Sequence, residues 1–377
     1  MNAPREIPPS ALPASHGAEG DSLLSELGER AFIQRVQDAI RHDATDDLVM
    51  PASLGIGDDA AVIDLPGGDY LIATVDAMVE GTHFRRDMPA EGVGYRLAAS
   101  NVSDLAAMGG AQPVWALLTF GAPGDLPLAW VDGFLKGLAQ CAREFGFPLV
   151  GGDTVRSPQV FASLTLVGQL SAERPPVPRS NAKPGHYLYV SGSPGESAAG
   201  LRLLLTPDLE KGLGAETSAH LKGRHLYPSP RLVLGQALAE VADELSLIDV
   251  SDGVFNETEL MMEASQGVGA ELRLADLPIS SQLREFCTAT DLPPHELVLL
   301  GGEDFELLFA TTTPPDELVD RLTKTASPSA FRSTTTDQQN PLPQLTCIGR
   351  CTKLPGVRVL DETNSPLTLE HSFFSHF

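Results

Sequence analysis

The sequence predicts a mixed α/β protein (α+β elements together) of two domains, on three observations. Its 377 residues exceed what a single hydrophobic core usually fills. Pro175, Pro176, Pro178 and Pro184 crowd one stretch near the middle, where neither a helix interior nor a central strand accepts them. On both sides of that stretch, apolar runs of strand length alternate with segments of helical spacing. The expected divisions are a flexible arm over 1–21, a first domain over 22–171 and a second over 172–377.

In chain order, Leu24, Leu27, Phe32, Val36 and Ile40 fall near helical spacing and lead into a polar connection ending at Pro51. The apolar run Tyr70 to Val75 predicts a strand that delivers Asp76 at its end. An Ala-rich helix over 91–108 sets Asn101 and Asp104 near one another. A strand follows at Val114–Phe120, then a helix with Phe134, Leu138, Cys141 and Phe145 on one face, then a strand at Val160–Leu170. Beyond the prolines come a strand at His186–Val190, a helix bearing Leu234, Leu238, Val241 and Leu245, and a strand just before Asp249. Phe305–Ala310 and Leu345–Ile348 read as further strands. The Thr-, Ser- and Pro-rich stretch 311–344 reads as peripheral apart from a short helix near 315–324. Direct internal repetition is faint.

Composition narrows the function classes. The formal charge of -24, from 50 acids against 26 Lys plus Arg, disfavours nucleic acid and anionic membrane as partners. It leaves room for a phosphorylated small substrate, because bound cations reverse a local field. Cys141, Cys287, Cys347 and Cys351 form no C-x-x-C pair and no zinc set, so reduced thiols are expected. The first 20 residues lack an apolar signal core, and no apolar run reaches membrane-spanning length. The expected compartment is the cytoplasm.

The chemistry lies in acids set beside Gly, Ser and Thr: Gly57-Asp58-Asp59, Thr74-Val75-Asp76, Ser103-Asp104, Gly151-Gly152-Asp153, Asp249-Val250-Ser251-Asp252-Gly253 and Gly301-Gly302-Glu303-Asp304. A single such phrase is commonly a capped turn. Six of them, read as turns dispersed over the chain, fit a site assembled by the fold, with carboxylates holding hard metal ions and phosphates. Gly55-Ile56-Gly57 lacks the lysine of a P-loop and is not a dinucleotide fingerprint, so a tight turn explains it equally well. Backbone N–H groups at Gly151-Gly152 could cradle phosphate. His83 reads as a satisfied polar residue or a ligand, and Arg179 as a surface cation or a phosphate fork.

The ordered set GIGDDAAVI (55–63), TVDAMVEGTHF (74–84), NVSDLAAMGG (101–110), GGDTVRS (151–157), AKPGHYLYVSGSPGESAAG (182–200), RHLYPSPR (224–231), IDVSDGV (248–254) and GGEDFELLF (301–309) resembles the thiamine-monophosphate kinase family over about 22–377. The terminal HSFFSHF (371–377) is similar to the family ending. The wider superfamily includes aminoimidazole ribonucleotide synthetase, selenophosphate synthetase and the hydrogenase-maturation dehydratase. The resemblance implies the synthetase-like two-domain fold, a first domain that joins its sheet to that of a second subunit in a homodimer, and ATP with several Mg2+ ions in a cleft between domains. It implies metal contacts at Asp59, Thr74, Val75, Asp76, Asp104, Asp153, Asp249 and Asp252, and nucleotide contacts at Gly152, Asp153, Arg179 and Ser251. Substrate contacts fall to His83, Glu303 and Phe374. The implied reaction is direct in-line transfer from ATP to thiamine monophosphate, with no catalytic side chain forming a covalent intermediate.

Three positions depart from the family pattern: Val75 where Thr or Ser is common, Phe374 where Tyr or Trp is frequent, and Glu257 where many relatives carry Asp. Val75 retains a carbonyl, Phe374 retains a stacking ring, and Glu257 keeps a capping or supporting role. Against another ATP-dependent enzyme of the superfamily stand the lack of an early cysteine nucleophile and a tail without cysteine. Against a non-catalytic nucleotide-binding scaffold stands the full set of acids.

Overall fold

The computed structural model describes residues 28–43, 52–325 and 342–367. Phe374, Leu24 and Leu27 lie outside them. Helix α1 (Glu29–Asp43) forms a unit of its own that includes Phe32 and Val36 of the expected helix. The second unit carries two sheets.

The first sheet comprises β1 (Ala52–Leu54), β2 (Ala61–Asp64), β3 (Tyr70–Val79), β4 (Gln112–Ala122), β5 (Leu149–Arg156) and β6 (Phe161–Leu170), in the order β1-β2-β3-β6-β4-β5. Helices α2 (Ala90–Ala107) and α3 (Leu128–Phe145) lie between β3 and β5 in sequence and pack closely on each other. Glycine makes that approach feasible. A Cβ on Gly137 would lie 1.8 Å from the Glu91 carbonyl oxygen, and one on Gly94 1.9 Å from that of Phe134. The usual helical cost of glycine, about 1 kcal/mol, is thereby offset by close packing of the two backbones. Nearly every residue of α2 is buried, because it touches the first sheet on one side and the strand carrying Asp249 on the other. In contrast, Val75 (63 % exposed), Leu117, Val150 and Val155 stand open to solvent.

The second sheet comprises β7 (Tyr187–Ser191), β8 (Ser246–Val250), β9 (Gly269–Arg273), β10 (Glu306–Thr311), β11 (Leu345–Thr352), β12 (Gly356–Leu360) and β13 (Pro366–Leu367). Their order is β13-β12-β9-β11-β7-β10-β8, antiparallel except for the β12–β9 pair. Helices α4 (Glu196–Leu205), α5 (Ala215–Leu226), α6 (Leu232–Val241), α7 (Val254–Ala264), α8 (Ser281–Thr290), α9 (Pro294–Leu300) and α10 (Pro315–Thr325) accompany it. A core of Leu188, Val190, Ile248, Val250, Phe286 and Leu308 joins this sheet to its helices.

Three expectations change. Asp76 and Asp249 lie inside β3 and β8 rather than after them, and Gly151-Gly152-Asp153 is a strand segment within β5 rather than a turn. Apolar periodicity ends a strand at its first acid, whereas here the ladder continues through both acids, and Ser103 of the Ala-rich helix donates to Asp249. Helix α6 stops at Val241, which leaves Leu245 in the connection before β8.

Candidate functional site

Helix α2 delivers two of the relevant side chains one residue apart. Ser103 Oγ donates to Asp249 Oδ2 at 2.6 Å, which ties α2 to β8 of the other sheet. Asp104 accepts a hydrogen bond from Thr74 Oγ1 on β3. One turn earlier, Ser100 Oγ donates to the Leu97 carbonyl at 3.0 Å and stands beside Asp76, whose carboxyl is pushed up by burial. Asp59 enters from the bend before β2, and its carboxylate pairs with Arg179. The backbone N–H of Arg179 donates to Asp58 Oδ2 at 3.1 Å. One carboxylate oxygen from each of Asp59, Asp104 and Asp249 lies within 4.8 Å of the others.

These carboxylates are under-compensated. Burial, then the charges of Asp76, Asp249 and Asp59, raises Asp104 well above the ordinary carboxylate range. Burial also raises Asp59 despite Arg179. Asp249 is pushed up to about 8 by burial and then by Glu257. Asp59 Oδ2 is buried without a hydrogen-bond partner. Oxygen donors that converge with an unmatched negative charge are the donor set that hard divalent cations take. The residues present therefore fit Mg2+.

The family model for the N-terminal domain of AIR synthase related proteins matches residues 57–170. The thiamine-monophosphate kinase of Escherichia coli K12 is 38 % identical over 285 residues, covering 75 % of this chain and 82 % of the relative. That of Mycobacterium tuberculosis H37Rv is 37 % identical over 293 residues, covering 77 % and 83 %. This chain belongs to the thiamine-monophosphate kinase family. Among solved structures, AaThiL complexed with AMPPCP and TMP matches with a TM-score of 0.75 at 30 % identity, covering 94 % of this chain and 99 % of that one. The Stenotrophomonas maltophilia thiamine-monophosphate kinase matches with 0.66 at 31 %, covering 87 % and 95 %. Hydrogenase maturation protein HypE of E. coli, at 19 % identity and a TM-score of 0.62 over 90 % of this chain and 97 % of its own, shares the fold.

Several other positions expected from the sequence lie on segments that flank β3, β8 and β10. Glu257 Oε1 accepts from the Asp252 N–H at 2.9 Å and from Ser251 Oγ at 3.2 Å, so this residue holds the turn that carries both. Glu303 donates its N–H to the Ser251 carbonyl at 2.6 Å, which places the Gly301–Asp304 turn beside the Ser251–Asp252 turn. His83 Nδ1 accepts from the Val79 N–H at 3.1 Å, and this bond fixes the ring over the end of β3.

Gly152 and Asp153 lie elsewhere in the chain. The register runs Ala77, Ser163, Thr119, Asp153 across β3, β6, β4 and β5, three strand spacings or roughly 14 Å. Paired residues share a sheet face, and Ala77 faces opposite to its neighbour Asp76. Asp153 therefore projects from the other face of the sheet, on an edge strand exposed along its length. Gly152 has φ +152°, and a Cβ there would meet the Leu118 carbonyl at 1.8 Å. Thr74 is buried, whereas Val75 faces out with its side chain.

Sequence reasoning missed Ser100, Ser103, Arg96 and His225. Ser103 directly precedes a named acid, and a helical projection of 100–104 would have found both serines. Arg96 gave no local signal, and His225 stands in the RHLYPSPR phrase without any sign of its partner, because the two are 129 positions apart.

Proposed function

We propose that this chain transfers the γ-phosphoryl group of ATP to thiamine monophosphate, giving ADP and thiamine diphosphate, in the cytoplasm. The observation that carries this reading is the convergence of Asp59, Asp104 and Asp249 from three separate elements, in a chain similar along nearly its full length to AaThiL, which was solved with an ATP analogue and TMP. The acceptor is a phosphate oxygen that is already anionic, so no strong base is needed. The task is to align two phosphates against their repulsion.

Asp59, Asp76, Asp104, Asp249 and Asp252 would hold Mg2+, with Thr74 through its hydroxyl and Val75 through its carbonyl. When bound, the metal neutralises phosphate charge and orients the transferred group. Arg179, now paired with Asp58 and Asp59, presents its fork to the nucleotide phosphates, and Ser251 faces the nucleotide from the second sheet. His83, Glu303 and Phe374 contact thiamine monophosphate. A magnesium-dependent ATP assay across thiamine monophosphate, thiamine, an aminoimidazole-ribonucleotide precursor and selenide tests the substrate. Oxygen label placed in the acceptor phosphate should appear in the new P–O–P bridge, and solvent oxygen in that bridge would reject direct transfer.

The open face bearing Val75 and Leu117, with β5 at its edge, supports a homodimer through the first sheet. Asp153 lies on that face, with Gly152 beside it in the same edge strand, so their metal and nucleotide contacts belong at the junction with the second copy. Val75→Asp with Val150→Asp should give a monomer in light scattering and lose activity. A wild-type chain that is monomeric at micromolar concentration would reject the dimer.

A further inference from the structure

Behind Glu303 lies a polar network that the phosphate-side chemistry does not use. Arg96, on α2, has a side chain only 1 % exposed. Its Nη2 donates to the His83 carbonyl at 2.6 Å, its Nη1 meets His225 Nε2, and its Nε stands 3.5 Å from Glu303 Oε1. Arginine only donates, so His225 Nε2 must accept, and the neutral ring then carries its proton on Nδ1. Burial, followed by the charge of Arg96, holds His225 well below its ordinary value, which keeps the ring neutral near pH 7. Its Nδ1 lies 3.1 Å from Ser197 Oγ and 3.6 Å from Glu303 Oε2.

The Glu303 backbone needs such support. Glu303 has φ +62° and Phe305 φ +51°, a region that residues with a Cβ adopt at a cost. The N–H of Glu303 is anchored to Ser251, and its carboxylate lies against the Arg96 guanidinium, with Nε at 3.5 Å, and beside His225 Nδ1 at 3.6 Å. Arg96 is therefore shared between His83, which follows β3 of the first sheet, and Glu303, which precedes β10 of the second.

We infer that Arg96 and His225 are positioning residues that set the affinity for thiamine monophosphate by fixing the His83 backbone and the Glu303 carboxylate relative to one another. The inference rests on the reading above of His83 and Glu303 as substrate contacts. It is distinct from the metal and nucleotide positions, and it predicts a selective kinetic effect.

Each substrate is varied separately for Arg96→Lys, His225→Leu, His225→Gln and Glu303→Gln, with melting temperatures measured in parallel. Arg96→Lys keeps the charge and loses the fork, and should raise KM for thiamine monophosphate about tenfold while KM for ATP stays within about twofold. His225→Leu should do the same, and His225→Gln, which keeps an acceptor toward Arg96, should recover much of the loss. Arg96→Lys combined with Glu303→Gln should be no worse than the weaker single variant. Equal rises in both KM values, or lower melting temperatures at unchanged KM, overturn the inference. If Arg96→Lys does not fold, the two His225 variants decide. If Glu303→Gln leaves KM for thiamine monophosphate unchanged, the assignment of Glu303 as a substrate contact falls and the inference falls with it. If Glu303→Gln raises that KM and the Arg96 and His225 variants do not, only the inference fails.

Discussion

Asp249 and Glu306 are buried acids on adjacent strands, one register step apart, since Asp249 pairs with Leu307 and Glu306 with Val250. They therefore point to opposite faces of one sheet and meet opposite treatment. Glu306 receives Ser191 Oγ at 2.6 Å, Arg224 Nη2 at 2.8 Å and Arg231 Nε at 2.6 Å. Burial alone would raise it, yet Arg231 and Arg224 outweigh burial and leave it below the ordinary glutamate range. Asp249 receives one serine hydroxyl and faces other carboxylates, and it is pushed up to about 8. A buried acid matched by cations from its own chain is structure. Buried acids that face each other are costly to the fold unless a cation comes from outside, and that cost marks a site of function.

The sharpest way to break this comparison is to neutralise one member of each group. Asp104→Asn keeps the shape and an acceptor for Thr74, but removes a charge from the crowded side. Turnover should fall about a thousandfold or more, as expected for loss of a ligand that stabilises transition-state charge. The metal-free melting temperature should hold or rise, because burial and three neighbouring aspartates oppose that charge. Near-normal kinase activity in Asp104→Asn would show that the convergence is not catalytic. Glu306→Gln should do the reverse. It removes the counter-charge of Arg231 and one of the two carboxylates paired with Arg224, which keeps Glu196, and should cost about 3–5 kcal/mol of stability, read by denaturant unfolding. An unchanged unfolding midpoint would place Glu306 with the functional acids.

Magnesium gives a smaller, graded test. Saturating the protein at a hundredfold over Kd should add about 2.7 kcal/mol of stability, seen as a raised melting temperature that EDTA reverses. Glu306→Gln should gain as much as the wild type, and Asp104→Asn clearly less. Equal gains in all three would mean that the metal binds elsewhere.

The two groups also differed in how legible they were in the sequence. Asp59, Asp76, Asp104 and Asp249 each sit in a short phrase of Gly, Ser, Thr and Asp that interrupts an apolar run, so each was visible locally. The strand boundaries were misjudged for the same reason, since an acid inside β3 or β8 looks like a strand end. Their convergence is long-range and depends on α2 being thin enough, through its Ala, Ser and Gly residues, to lie between the two sheets. Glu306 gave no such signal. It reads as one polar residue in the run Glu306–Thr311, and its partners lie in the RHLYPSPR phrase on and after α5, with no periodicity linking them. The open face of the first sheet was likewise not derivable from periodicity, because an edge strand of small and apolar residues looks the same whether covered or free. The expected contact at Phe374 lies outside the described residues.

The smallest expected effect is a pH dependence that separates Glu306 from the acids around Asp249. The folded-state pKa of Glu306 lies below that of the unfolded chain, so the native form keeps its charge where the unfolded form takes up a proton. The stability this contributes is fully present above the ordinary glutamate range and is lost as pH falls through the depressed folded value. Glu306→Gln has no such group to titrate. The stability gap between wild type and Glu306→Gln should therefore be constant from about pH 8 down to about pH 6 and narrow as the solution is acidified below the ordinary glutamate pKa of about 4.3. For Asp249 the sign is opposite. Its folded value lies above the unfolded one, so its contribution is present at low pH and is lost as pH rises toward about 8 in the absence of metal. Urea unfolding of the wild type and of Glu306→Gln in EDTA, at intervals from pH 4 to pH 9, reads both trends. A gap that widens on acidification would mean that the arginines do not hold Glu306 in its charged form, and the contrast between the two faces of the sheet would then be lost.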